Sequence, residues 1–303
     1  MEIPSFNALI QKSIVDHWDM DALTDYKGAT LQYHDVARKI EKLHIMFENS
    51  GVVKGDKIAL CGRNSANWAV AFLATLTYGA IAVPILHEFM PDQIHNIVNH
   101  SDAKLLFVGD VVATQIDATK MPGLEGIIYI PDYSLVVSRT DKLTYAREHL
   151  NEMFGIKYPK YFRKKHVNYY MEQNPDELAM INYTSGTTGF SKGVMVPYRA
   201  LWGMQILLKT YWVRRLSREI LSSVSCRWPT CTAWRLNLSS NSSRAATSSI
   251  SPASLVQPSS PRHSAASSQP SSLQFLWLSR RLSARKYSLR SRTTACVCCS
   301  TCL

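Results

Sequence analysis

The stretch NYTSGTTGFSKGV, from Asn182 to Val194, decides how this chain is read. It follows the apolar run Leu178–Ile181, so a strand is expected to empty into a loop of hydroxyls and glycines that ends on a lysine. Glycines let successive backbone N–H groups turn toward one anion without a Cβ in the way, the hydroxyls add donors, and Lys192 adds a mobile positive charge. Such a loop suits a polyphosphate. A Walker A loop needs its lysine directly after a glycine lying five residues beyond the first; five beyond Gly186 is Ser191, so the spacing fails. The intervals between Gly186, Gly189 and Gly193 also miss the G-x-G-x-x-G of dinucleotide-binding folds. A flexible linker could share this composition, but here the run is pinned between an apolar strand and KGVMVPYRALWG.

Working back toward the N-terminus, helices and strands alternate. Val36, Ile40, Leu43 and Phe47 fall three or four apart, which predicts an amphipathic helix ending at Gly51. KIALCG and IAVPI read as short buried strands, with a helix between them opened by Ser65 as cap. MPDQIHNIVNHSD reads as a helix, and KLLFVGD, EGIIYIPD and ELAMINYTS as further strands. Ala69–Leu86 is nearly long enough to span a bilayer, but Gly79 and Pro84 interrupt it, so a buried helix and a buried strand are expected. Alternation over this length predicts an α/β fold with a parallel-rich sheet layered with helices.

YTSGTTGFSKGV resembles the phosphate-loop signature of the adenylate-forming (AMP-binding) superfamily, which includes acyl-CoA synthetases, nonribosomal peptide adenylation domains and luciferases. Ser191 stands where the family pattern has proline. LTDYKGATLQYHDV resembles the family's opening hairpin, and Gly51–Ile85 and His100–Asp110 resemble the segments that follow. The resemblance implies a partial N-terminal domain over residues 1–203. It implies that a carboxylate attacks the α-phosphorus of ATP to give an acyl-adenylate, and that the thiol of CoA then displaces AMP. Thr184, Ser185, Thr187 and Thr188 would supply hydroxyls, Gly186 and Gly189 close backbone approach, and Lys192 a phosphate contact. Magnesium (Mg2+) would bridge the phosphates, but its usual protein ligand lies beyond this stretch. No catalytic residue and no metal ligand is assigned.

Residues 204–303 differ in kind. The first 203 residues carry 20 Lys and Arg against 22 Asp and Glu; the remainder carries 14 against one, and 12 of the 14 are arginine. The formal charge of +11 therefore belongs wholly to the second part. Serine and arginine dominate there without a period of 3.6 or 2, which reads as a disordered, low-complexity tail. The same nucleotides read one position earlier give another text. Cys226–Trp234 then admit LPMAHMYGM, which resembles the family's next segment, and Gln269–Arg281 admit ATIIIAVPLVVEK, which resembles long-chain acyl-CoA synthetases. Two family segments in one frame and in the right order favour out-of-frame translation from about Met204.

Together these observations predict a long-chain fatty acid CoA ligase present here as an inactive fragment, weakened by open sheet edges. The partners expected are a fatty acid or other carboxylate and, peripherally, a membrane; no nucleic acid is expected, because the arginines would have no selected partner. An enzyme adenylating an aryl or amino acid is one alternative, and a non-catalytic protein with a genuine basic, nucleic-acid-binding tail is another. The single early thiol, Cys61, and the lack of a basic-then-apolar leader predict a cytoplasmic location. The cysteines of CVCC carry no metal site under the shifted frame. His87 and His95 show no ligand spacing.

Overall fold

The helix expected from Val36, Ile40, Leu43 and Phe47 forms as α2 (Tyr33–Ser50), with all four side chains buried. It stops at Gly51, which takes the left-handed conformation (φ 86°) that closes a helix most cheaply in glycine. The computed structural model describes residues 5–25, 28–184, 192–207 and 248–250.

Around α2 the chain runs α1 (Phe6–Asp16), β1 (Asp21–Asp25), β2 (Thr30–Gln32), then β3 (Lys57–Cys61), α3 (Ala66–Tyr78), β4 (Ile81–Ile85), α4 (Pro91–His100), β5 (Ala103–Val108) and the single turn α5 (Asp110–Ala113). It continues through β6 (Gly126–Tyr129), β7 (Leu135–Ser138), α6 (Asp141–Glu148) and α7 (Leu150–Lys157) to β8 (Leu178–Thr184), β9 (Lys192–Pro197), α8 (Tyr198–Leu207) and β10 (Ser248–Ile250). Seven strands form one sheet in the order β7-β6-β5-β3-β4-β8-β9, parallel except for β7 and β9 at its two edges. β1 and β2 form an antiparallel hairpin, as the opening segment predicts, and β10 pairs parallel with β1. Helical order thus runs four residues past 203, and a three-residue strand falls within the segment read as tail.

Both faces of the sheet are covered, which is why its central strands read as unbroken apolar runs rather than as alternations. Ile58, Leu60, Leu105 and Phe107 enter the core beneath α1, α2 and α3; Ala59, Cys61, Leu106 and Val108, one residue out of step, enter a second core beneath α4. The apolar window Ala69–Leu86 resolves as α3, a left-handed Gly79 and β4. No helix among the described residues is long and apolar enough to cross a membrane. Ser65 caps α3 by accepting from the Trp68 N–H at 3.1 Å, and the Asp25 carboxylate, carried in by β1, accepts from the Ala66 N–H at 2.7 Å. Desolvation there raises the Asp25 pKa, with the Ala66 hydrogen bond pulling the other way.

Gly51 and Gly79 share φ 86° but differ in surroundings. A Cβ on Gly51 would meet nothing within 4 Å, whereas one on Gly79 would lie 2.9 Å from the Tyr170 ring. Gly51→Ala should therefore lose only the left-handed backbone penalty, about 1–2 kcal/mol. Gly79→Ala should lose that and a further ~1–3 kcal/mol as the ring is displaced. Urea unfolding compares the two; equal losses would mean that Tyr170 yields freely.

His44, on α2, is enclosed between α2 and α3, its Nε2 3.0 Å from the Ala74 carbonyl oxygen and 3.1 Å from Thr77 Oγ1, with its ring against Tyr78 and Tyr169. Burial lowers its pKa to about 4, although Glu41 and the Ala74 carbonyl pull it upward. An unfolded histidine takes its proton near pH 6.5, so between that pH and 4 the unfolded chain binds more protons than the folded one. Stability is complete above about 6.5 and falls as the pH drops toward 4, by about 3 kcal/mol from this group. Urea midpoints at pH 7 and pH 5 should differ more in the parent than in His44→Gln; equal slopes would contradict this assignment.

Candidate functional site

The loop NYTSGTTGFSKGV closes the hairpin between β8 and β9. β8 lies beside β4 through the parallel pair Ala82 and Met180, so the chain leaves it at the carboxyl end of the parallel strands, where open α/β sheets present their ligand sites. It returns as the edge strand β9, in a register that sets Thr184 directly opposite Lys192. Of the seven residues expected to hold phosphates, these two flank the turn, and both are exposed. Ser185, Gly186, Thr187, Thr188 and Gly189 lie outside the described residues.

The base of the hairpin is fixed by side chains that composition does not mark. Tyr183 is buried, and its hydroxyl lies 2.7 Å from His100 Nδ1 at the end of α4, tying β8 to the layer below. Burial raises the Tyr183 pKa, and Asp102 raises it further, so the phenol stays protonated as a donor. Across the hairpin its ring covers Gly193: a Cβ there would lie 3.1 Å from Tyr183 Cζ and 3.0 Å from Ile181 Cγ2. The glycine after the lysine is thus a packing requirement, an aromatic ring filling the gap at an edge glycine. Its trace in the sequence is a tyrosine three residues before the loop's first glycine, Gly186, and a glycine directly after Lys192; only the strand register pairs the two.

At the carboxyl ends of the neighbouring strands, the Gly109 N–H donates to the Cys61 carbonyl oxygen at 2.9 Å. Gly62 and Gly109 approach so closely that a Cβ on Gly109 would lie 3.0 Å from Gly62 Cα. Backbone therefore fills the crevice between β3 and β5, whereas Thr184 and Lys192, at the same end of the sheet, are exposed. Cys61, below it, is buried and unpaired, and burial pushes its thiol up to about 12, which removes it as a nucleophile. His95 is a core residue whose Nε2 accepts from the Asp117 N–H at 2.9 Å.

The sequence between the two strands, residues 185–191, is rich in hydroxyls and glycine, and Lys192 beside it adds one cation. It does not supply carboxylates: among the described residues no group of three or more His, Cys, Asp or Glu side chains could hold a metal ion. No residue is therefore assigned to magnesium, and no chemical step is routed through it.

The model of the AMP-binding enzyme family matches residues 10–239. Long chain acyl-CoA synthetase 3 of Arabidopsis thaliana is 27% identical over 195 residues, covering 63% of this chain and 29% of that protein. Acetyl-coenzyme A synthetase of Pyrobaculum aerophilum is 30% identical over 199 residues, covering 60% and 28%. Among solved structures, the anthranilate CoA ligase AuaEII in complex with anthranoyl-AMP superposes with a TM-score of 0.55 at 18% identity, covering 70% of this chain and 38% of that one. The chain spans under a third of the length of these curated relatives. With the family model matching well over half of its residues, and its fold shared with solved adenylate-forming enzymes, the chain belongs to the AMP-binding enzyme family of adenylate-forming acid ligases.

Proposed function

We propose that the gene encodes an ATP-dependent acid:CoA ligase of the long-chain fatty acid type, and that the 303-residue chain is the first half of its large N-terminal domain, residues 1–203, followed by out-of-frame sequence. The observation that supports the adenylation chemistry is the β8–β9 pairing, which sets Thr184 opposite Lys192 on either side of residues 185–191. The long-chain assignment draws on the Arabidopsis relative and on the shifted-frame text.

In this reading a carboxylate oxygen of the acid attacks the α-phosphorus of ATP. The bond to the bridging oxygen breaks, and pyrophosphate departs with the electron pair. The turn from Thr184 to Lys192 holds the β- and γ-phosphates so that the leaving oxygen lies in line with the attack, and its donors stabilise the charge that grows there. The CoA sulfur then attacks the acyl carbon, and AMP leaves. Magnesium would supply charge neutralisation across the phosphates, and none of the described residues is assigned to hold it. A long-chain acid partitions into bilayers, so peripheral membrane contact belongs to the same reading, as does a reducing cytosol that suits the unpaired Cys61.

The test is ATP–pyrophosphate exchange by the protein restored to one frame after codon 203, offered palmitate, benzoate and a panel of amino acids. Exchange that is strongest with palmitate and followed by thioester formation supports the proposal. Exchange confined to benzoate or an amino acid overturns the long-chain assignment and leaves adenylation standing.

A further inference from the structure

The segment GIKYPKYFRKKH, Gly155 to His166, concentrates charge against its surroundings. Residues 1–203 are slightly acidic, yet these twelve hold five of their 20 cations and none of their 22 anions. Lys157 is committed, its Nζ 2.9 Å from the buried Glu41 carboxylate that also accepts from the Tyr158 hydroxyl at 2.7 Å. Lys160, Arg163, Lys164 and Lys165 are exposed and make no ion pair among the described residues. The next acid along the chain, Glu172, is turned away to hold the start of α1, where Ser5 Oγ donates to it at 2.6 Å.

The segment is held from within by aromatic rings. Tyr158 packs on Phe154 and Phe162 with ring centroids 5.2 and 4.9 Å apart, His166 closes on Tyr158 at 5.1 Å, and Phe162 reaches Trp18 at 6.1 Å. The Arg163 N–H donates to His166 Nδ1 at 2.9 Å across the 3-10 turn Lys164–His166. Fixing these rings inward leaves Ile156 (73% exposed) and Tyr161 (71%) outward among the cations. Arg163 stands 5.7 Å from the centre of the Tyr161 ring.

We propose that Gly155–His166 is a membrane-docking face, which sets four unpaired cations and two exposed apolar side chains against an anionic lipid surface. Charge complementarity selects an anionic partner, and Ile156 and Tyr161 select lipid over a nucleic-acid backbone. An aliphatic side chain gains nothing on a sugar-phosphate, whereas Ile and Tyr beside Lys and Arg suit the boundary between headgroups and acyl chains. The inference gives the membrane contact of the long-chain reading a surface, but rests on charge and exposure and does not require catalysis.

The test is hydrogen exchange of the full 303-residue chain with phosphatidylcholine vesicles, with vesicles containing about 30% phosphatidylserine, and with a DNA duplex, near 0.1 M salt. The basic residues beyond 203 will hold the chain on any anionic surface, so the reading must be local. Slowed exchange across 155–166 on the phosphatidylserine vesicles alone is expected, together with vesicle affinity about 25-fold lower in K164A/K165A, at about fivefold per lysine. Unchanged exchange across 155–166 on bound vesicles, or equal affinity of the variant, overturns the proposal by assigning the binding to the tail. Protection by the duplex as strong as by vesicles overturns it in favour of nucleic acid. Lipid protection in a frame-restored protein that fails to adenylate would sink the enzymatic reading and leave this one intact.

Discussion

Purified and supplied with ATP, labelled pyrophosphate and palmitate, the 303-residue chain gives no exchange above background, while the frame-restored protein exchanges and its Lys192→Ala variant loses about 100- to 1,000-fold. The first half of this expectation follows from what the segment Asn182 to Val194 contains. It holds hydroxyls, glycines and one lysine, but no carboxylate. A site accelerates a reaction only by binding its transition state more tightly than its reactants, and donors on the departing phosphates do that only when the acid and the adenosine are held in line with them. The second half follows from position. Lys192 faces Thr184 across the mouth of the turn, and removing one charge-stabilising donor from a preorganised site costs about that factor. Its effect should fall on kcat, with the KM for the acid little changed. Exchange by the short chain, or a Lys192→Ala loss below tenfold, would contradict the assigned role.

Trp68→Ala should abolish cooperative folding of the 303-residue chain. Trp68 is fully buried on α3, stacked on Phe72 with ring centroids 5.4 Å apart and planes within 12°. It lies in the core packed beneath α1 and α2. Truncating a buried tryptophan costs about 3–5 kcal/mol, through lost transfer energy and the cavity left behind. That loss meets a chain with little to spare. β9 is an edge strand that leaves Val194 (51% exposed) and Met195 (72%) to solvent, an arrangement that stabilises little and invites association. Typical domains hold only about 5–15 kcal/mol in total. Circular dichroism melts of parent and variant read the outcome: a sigmoidal transition for the parent and a shallow slope for Trp68→Ala. A variant melting within a few degrees of the parent would show that this core is not what holds the sheet.

The parts of the fold that were legible in the sequence are those in which one residue's chemistry serves one local need. Ser65 caps α3, Gly51 ends α2, and the apolar runs of β3 and β4 fit a sheet covered on both faces. β9 was not legible because Lys192–Pro197 buries no face of its own; its pairing is fixed by β8, so KGVMVP carries no alternation to read. β7 pairs antiparallel at the other edge, and its half-exposed residues give an equally weak pattern. The helices α6 and α7 are each eight residues long, too short for a periodic stripe to stand out. At the site, the loop was visible as composition, while its supports were not. Tyr183 and His100 lie 83 positions apart and meet only through the packing of α4 against the sheet. The role of Gly193 shows only when the register places it across from Tyr183.

The central claim is that the partners of Lys192 are encoded in the DNA and lost from the protein by a shift of one nucleotide after codon 203. Reading the coding DNA across codons 195 to 240 tests it most directly. Restoration of a single nucleotide near codon 203 should open a long uninterrupted frame that carries LPMAHMYGM, or a close variant, in place of Cys226–Trp234. A frame that meets stop codons within those positions would contradict the account and return residues 204–303 to the status of a genuine basic tail.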